Sequence, residues 1–269
     1  MSMALPCCSR ERVILGTNMP ADLEPYFDND KERLAYEAFL AEQERGGEGF
    51  TLDAPALVCR WRMHNKHVPL LNRHIRALSQ RRVNGAPLSH NMLSWAKQHV
   101  EWSLAEGAYT ERDGVLMLVI DVNGNAAMTV GAYEPLVDTS LAALADRAAA
   151  ARTEAEETGV APELLGAVTN GRVLMAAFPE EHVCGAATLV EQLASTRGIP
   201  VERAFDAERF SNDPTASLAV LREACGTQAA FFLVSDEHGI VPVQENASAA
   251  PDDAATVDFL AAGIRKLFL

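Results

Sequence analysis

The stretch VLMLVIDVNGNAAMTVGAY, Val115 to Tyr133, decides how this chain is read. Two apolar runs, Val115–Val122 and Ala126–Tyr133, flank Asn123-Gly124. Asn-Gly between apolar runs predicts a β-hairpin, because both turn positions tolerate a positive φ. Just beyond it, at Glu134-Pro135, the composition shifts. Thr139–Thr158 is alanine-rich and closed by Gly159, which predicts a helix. A second Asn-Gly, Asn170-Gly171, separates the predicted strands Leu164–Thr169 and Arg172–Phe178.

Working outward, the C-terminal half alternates helices and strands. Gly185–Arg197 reads as a helix ended by Gly198, Ile199–Phe205 as a strand, and Pro214–Cys225 as a helix before Gly226. Ala229–Ser235 and Ile240–Gln244 read as strands, Asn246–Asp253 as a loop and Ala254–Phe268 as a terminal helix. N-terminal to the hairpin, Ala56–Met63 alternates as a strand does. Val68–Arg82 carries Leu70, Leu71, His74, Ile75 and Leu78 at helical spacing, and Ser89–Glu106 is a second amphipathic helix. Asn84-Gly85 breaks the chain between them. Asp30–Arg45 reads as a polar helix stopped by Gly46-Gly47. The expected fold is therefore α+β or α/β in two layers: an irregular segment 1–28, a small α+β domain 29–135 and a larger α/β domain 136–269.

The chain has 269 residues, 48% of them apolar, enough for a sizeable core. Its apolar runs are far shorter than the ~18 residues that span a bilayer. The start MSMALPCCSRER has no basic region followed by a long apolar one, so no secretory signal is read there. Five cysteines, at 7, 8, 59, 184 and 225, form no paired spacing. They read as reduced thiols in a cytoplasm.

The net charge of −14 argues against a general nucleic-acid binder. The charge is unevenly placed, however. Between Ala54 and Val100 there is no acid, while Arg60, Arg62, Lys66, Arg73, Arg76, Arg81, Arg82 and Lys97 are basic and five histidines interleave. Such an island can mark an anion site, an RNA or acidic-protein face built on Arg81 and Arg82, or a surface paired with the acidic remainder. His64, His67 and His74 sit near metal-ligand spacing. No acid accompanies them and Pro69 interrupts the helix, so no metal site is expected. Phosphate-binding glycine motifs and GxSxG are absent. Cys59 and Cys184 read as small buried apolar residues and Trp61, Trp95 and Trp102 as core.

Several strings in order resemble the class IV aminotransferase family, the fold-type IV pyridoxal phosphate enzymes. That family includes branched-chain and D-amino-acid aminotransferases and aminodeoxychorismate lyase. The strings are GGEGF (Gly46–Phe50), LLNRHIRAL (Leu70–Leu78), the 115–133 hairpin, CGAATLVEQLASTRGIPVE (Cys184–Glu202) and AAFFLVSDEHGIVPV (Ala229–Val243). The resemblance implies a two-domain fold, a pocket between the domains, a cytoplasmic homodimer and pyridoxal phosphate on a lysine.

The reactive positions depart from that pattern. Asp138 stands where the lysine belongs, and no lysine occurs between Lys97 and Lys266. Met175 stands at the glutamate position, with Glu180 and Glu181 close by. Ala77 stands at one family arginine, with Arg76 adjacent, and Thr188 at another. An aspartate cannot form an imine and repels a phosphate. The resemblance with these departures implies a degenerate member that holds no cofactor and binds a small anionic metabolite through Arg73, Arg76, Thr188 and Ser235. Two alternatives stand beside it: an active aminotransferase or lyase with a displaced lysine (Lys66 or Lys97), and an RNA- or anion-binding module using residues 54–100.

Overall fold

The structure is a computed structural model that describes residues 52–106, 109–205, 216–226, 228–244 and 249–269. The expected irregular segment 1–28, the helix Asp30–Arg45, the GGEGF string and the start of the helix at Pro214 lie outside the described residues, as do Cys7 and Cys8. Within the unit Leu52–Leu269 the fold is mixed α/β.

The N-terminal layer is a three-stranded antiparallel sheet in the order β1 (Pro55–Met63), β4 (Gly114–Asp121), β5 (Ala126–Gly131). In β1 the residues Leu57, Cys59, Trp61 and Met63 are buried and alternate with more exposed ones, the period-2 pattern of a half-buried strand. Helices α1 (Leu71–Leu78) and α2 (His90–Ala105) connect β1 to β4. Ser89 caps α2, its hydroxyl accepting from the Met92 N–H at 3.1 Å. The helix expected over 68–82 is shorter, because Pro69 and the turn before it delay its start. Arg82-Val83 (β2) and Ala86-Pro87 (β3) instead form a small ladder around Asn84-Gly85.

The hairpin at 115–133 forms, but its turn differs from the expected one. Only Gly124 has a positive φ (81°). The turn is longer, because the Asp121 carboxylate accepts from the N–H groups of Asn123 and Asn125 at 2.9 and 2.8 Å and from Asp53 at 3.1 Å. Asn170-Gly171 does adopt the expected pair of positive φ values, 51° and 72°.

The C-terminal layer is a five-stranded sheet in the order β10 (Gly239–Pro242), β9 (Ala230–Ser235), β6 (Glu163–Thr169), β7 (Arg172–Met175), β8 (Val201–Arg203). Only β7 and β8 pair in parallel. All seven residues of β6 are buried, since helices cover both faces. Helices α4 (Gly185–Thr196) and α6 (Pro251–Arg265) pack on one face. Helix α3 (Leu141–Thr158), capped by Ser140, and α5 (Ser217–Cys225) pack on the other. Gly166 is required where β6 meets β9: a Cβ there would lie 2.5 Å from the Phe232 ring.

Candidate functional site

Helix α4 begins without a side-chain cap of its own. Its first N–H groups therefore need an acceptor from elsewhere in the fold, and they favour a negative one. The turn from β9 to β10 supplies it. Asp236 Oδ1 accepts from the Ala186 N–H at 2.8 Å. Behind the carboxylate, His74 Nδ1 of α1 stands 3.3 Å from Asp236 Oδ2. The His74 ring stacks on Trp61 of β1, with centroids 5.2 Å apart and planes within 7°. A Cβ at Gly185 would lie 2.6 Å from His74 Nδ1, so glycine is what lets α4 approach this closely.

His74 and Asp236 are both buried. Burial alone would raise the Asp236 pKa, yet the His74 imidazole, the Ala186 N–H and the Arg81 guanidinium hold it below the usual carboxylate range. Arg81 is itself buried and pairs with Glu154 of α3 at 3.1 Å. It is thus removed from any basic surface, a correction to the expected Arg81–Arg82 face. Burial pushes the Cys59 thiol up to about 11 and raises Cys184 well above an ordinary thiol. Neither is a thiolate at neutral pH.

The four residues expected to hold a ligand fall in different places. Arg73 and Thr188 come together: Arg73 Nη1 donates to Thr188 Oγ1 at 2.8 Å, and its Nη2 donates to Gln192 Oε1. Arg73 and the exposed Arg76 line an open depression of about 640 Å³ between α1, α2 and the preceding turn, with Lys66, His67 and Glu101. Ser235 lies elsewhere, buried, its hydroxyl accepting from the N–H groups of Glu237 and His238 at 3.2 and 3.1 Å. Asp138 is exposed ahead of α3, its Oδ1 accepting from the Ser140 N–H at 2.8 Å, which keeps its pKa low.

Other expectations can be placed as well. Met175 is fully buried, and Glu181 is tied to Arg152 of α3 at 2.5 Å and to the Phe178 N–H at 2.9 Å. Of the three histidines weighed as metal ligands, His64 and His67 face each other in an isolated bridge, the N–H of each donating to the other's carbonyl at 2.8 and 2.9 Å; His64 also pairs with Asp113 at 2.6 Å, while His74 faces Asp236. Among the described residues no group of three or more His, Cys, Asp or Glu converges. None of the described helices is long and apolar enough to cross a membrane. Sequence reading missed Asp236. The signal available was an acid in the VSDEHG turn.

No family model matches the chain, and no curated protein matches it. Among solved structures, it is similar to a hypothetical aminotransferase from Mycobacterium tuberculosis in its apo form, at 13% identity and TM-score 0.48, covering 78% of this chain and 89% of that one. It is similar to a fold IV-transaminase from Curtobacterium pusillum at 16% identity and TM-score 0.48, covering 77% and 84%. It is also similar to a protein assigned as a 4-amino-4-deoxychorismate lyase from Legionella pneumophila, at 12% identity and TM-score 0.45, covering 80% and 97%.

Proposed function

We propose that this chain is an aminotransferase-like protein that does not transaminate and that binds a small anionic metabolite. The observation that carries this reading is the Asp236 carboxylate seated on the Ala186 N–H at the start of α4. Helix N-termini are anion cradles, and this one is filled from within. A phosphate brought within ~4 Å of that carboxylate would meet repulsion of about 4 kcal/mol per unit charge at an effective dielectric constant near 20. Pyridoxal phosphate supplies an electron sink to a substrate amine once it is held covalently by a lysine. The residues here do not fit it, because no lysine lies between positions 98 and 265 and Asp138 stands exposed at the expected place.

The anion site in this reading is the depression of Lys66, His67, Arg73 and Arg76. Thr188 holds Arg73 in place from α4 rather than touching the ligand. Arg76 is free to swing onto a carboxylate or phosphate. Titrating the protein with phosphate and with citrate in a thermal-shift experiment tests this. A concentration-dependent rise in Tm that disappears in Arg76→Glu is the expected result. No rise, or an equal rise in the variant, overturns it.

A second reading, an enzyme with a displaced lysine, draws on one observation: Lys66 lines the same depression as Arg73 and Arg76. Incubation with pyridoxal phosphate, borohydride reduction and peptide mapping separates the two. Stoichiometric label on Lys66 or Lys97 favours the enzyme, and only scattered trace labelling favours the binding protein. The homodimer and the cytoplasmic setting follow from the family resemblance and belong to the same proposal. Sedimentation at several concentrations tests the dimer.

A further inference from the structure

Asn65 and Lys66 are consecutive non-glycine residues in the left-handed region, at φ 48° and 61°. His64 and His67 close the turn around them. The Lys66 N–H donates to the Arg112 carbonyl at 2.8 Å and the Asn65 N–H to Asp113 Oδ1 at 2.9 Å, so the turn is also held from outside. Glycine is the residue that such a turn favours at its second central position. A lysine there is strained, and strain of this kind collects at ligand sites. The Lys66 side chain is half-buried on the wall of the anion depression. Neither it nor the exposed Arg76 has a side-chain hydrogen bond or ion pair among the described residues.

Arg73 gives two of its five N–H donors to Thr188 and Gln192 and keeps three. The charged groups lining the depression are thus three permanent cations, Lys66, Arg73 and Arg76, the titratable His67, and one carboxylate, Glu101 of α2. Glu101 is exposed and also has no side-chain partner among the described residues. A phosphate monoester carries about 1.5 to 2 negative charges at neutral pH and three strong acceptor oxygens, which suits three cations offset by one carboxylate. Glu101 repels that phosphate and accepts instead from a hydroxyl. Asn72, also on the lining, offers an amide to the same kind of group. We infer, resting on the reading of this depression as an anion site, that its ligand is the phosphate monoester of a small polyhydroxylated body, the phosphate on Lys66, Arg73 and Arg76 and the hydroxyls on Glu101 and Asn72. At about 640 Å³ the depression has room for both parts.

Calorimetric titration of the full chain with ribose 5-phosphate, inorganic phosphate, ribose and succinate tests this. Ribose 5-phosphate is expected to bind about tenfold or more tighter than inorganic phosphate or succinate, and ribose alone not to bind. Glu101→Ala is expected to remove that advantage while leaving the affinity for inorganic phosphate no lower. Lys66→Gly suits the turn, so its Tm is expected to be no lower than that of the wild type, and both phosphates are expected to bind it about tenfold or more weakly. Inorganic phosphate bound as tightly as the sugar phosphate, or succinate bound more tightly, overturns the inference and leaves the anion site standing. Binding of none of the anions overturns both. An undiminished advantage in Glu101→Ala, or undiminished binding in Lys66→Gly, each shown to be folded by its unfolding midpoint, also overturns the inference.

Discussion

Asp236 and His74 face each other across 3.3 Å, one in the β9–β10 turn and the other on α1, and the Ala186 N–H completes the carboxylate's bonding. The pair joins the N-terminal layer to the start of α4. Replacing Asp236 by Ala leaves a buried imidazole and an uncapped helix start, which is expected to cost about 3–5 kcal/mol. Urea unfolding measures it. Asp236→Asn, which keeps an acceptor oxygen for the Ala186 N–H, is expected to lose less.

The same carboxylate sets an acid limit on stability. Its folded pKa is lowered, so its contribution is complete above the unfolded value near 3.9 and is lost as pH falls from there through the folded value. The wild-type chain is therefore expected to lose stability in this window more steeply than Asp236→Asn. Unfolding free energies measured from pH 6 down to about pH 3 compare the two slopes. Parallel slopes would contradict the assignment.

Asp253, in the first turn of α6, accepts from the N–H groups of Asn170 and Gly171 at 3.1 and 3.0 Å. One buried carboxylate thus fastens the β6–β7 turn to the terminal helix. Asp253→Ala is expected to destabilise by about 1–3 kcal/mol, and Asp253→Asn by less, in denaturant titration.

Gly166 and Phe232 are cross-strand partners with no room for another carbon. Gly166→Ala is expected to destabilise by about 1–3 kcal/mol through overpacking. In the double variant with Phe232→Leu, part of the Gly166→Ala cost is expected to vanish. Such non-additivity in a double-mutant cycle is the signature of direct contact.

Cys59 and Cys184 are buried thiols with raised pKa values. Native protein treated with iodoacetamide at about pH 8 is expected to carry no label on either, since the thiolate is the reactive form. Both are expected to be labelled after unfolding. Peptide mapping reads the sites.

Much of the fold was legible in the chain because the strong signals were local. The hydrophobic period of β1, the helical spacing of α2, the alanine-rich run of α3 and the glycine after it all act within a few residues. The Asn123-Gly124 turn was misread in detail because its geometry is set by the Asp121 side chain reaching forward, which no dipeptide preference records. The site was less legible. Arg73 and Thr188 were singled out, and the fold joins them, but Ser235 is consumed by its own turn and Arg81 by a distant glutamate. Asp236 and His74 owe their roles to contacts between segments far apart in sequence, where burial and pairing decide and periodicity is silent.

The central claim, that no amine of this chain holds an aldehyde cofactor, is tested most directly by the visible spectrum of the protein as purified. The account predicts a trace flat beyond the aromatic absorbance, unchanged by borohydride. A visible band that borohydride bleaches, leaving a pyridoxyl group on a lysine, would contradict it.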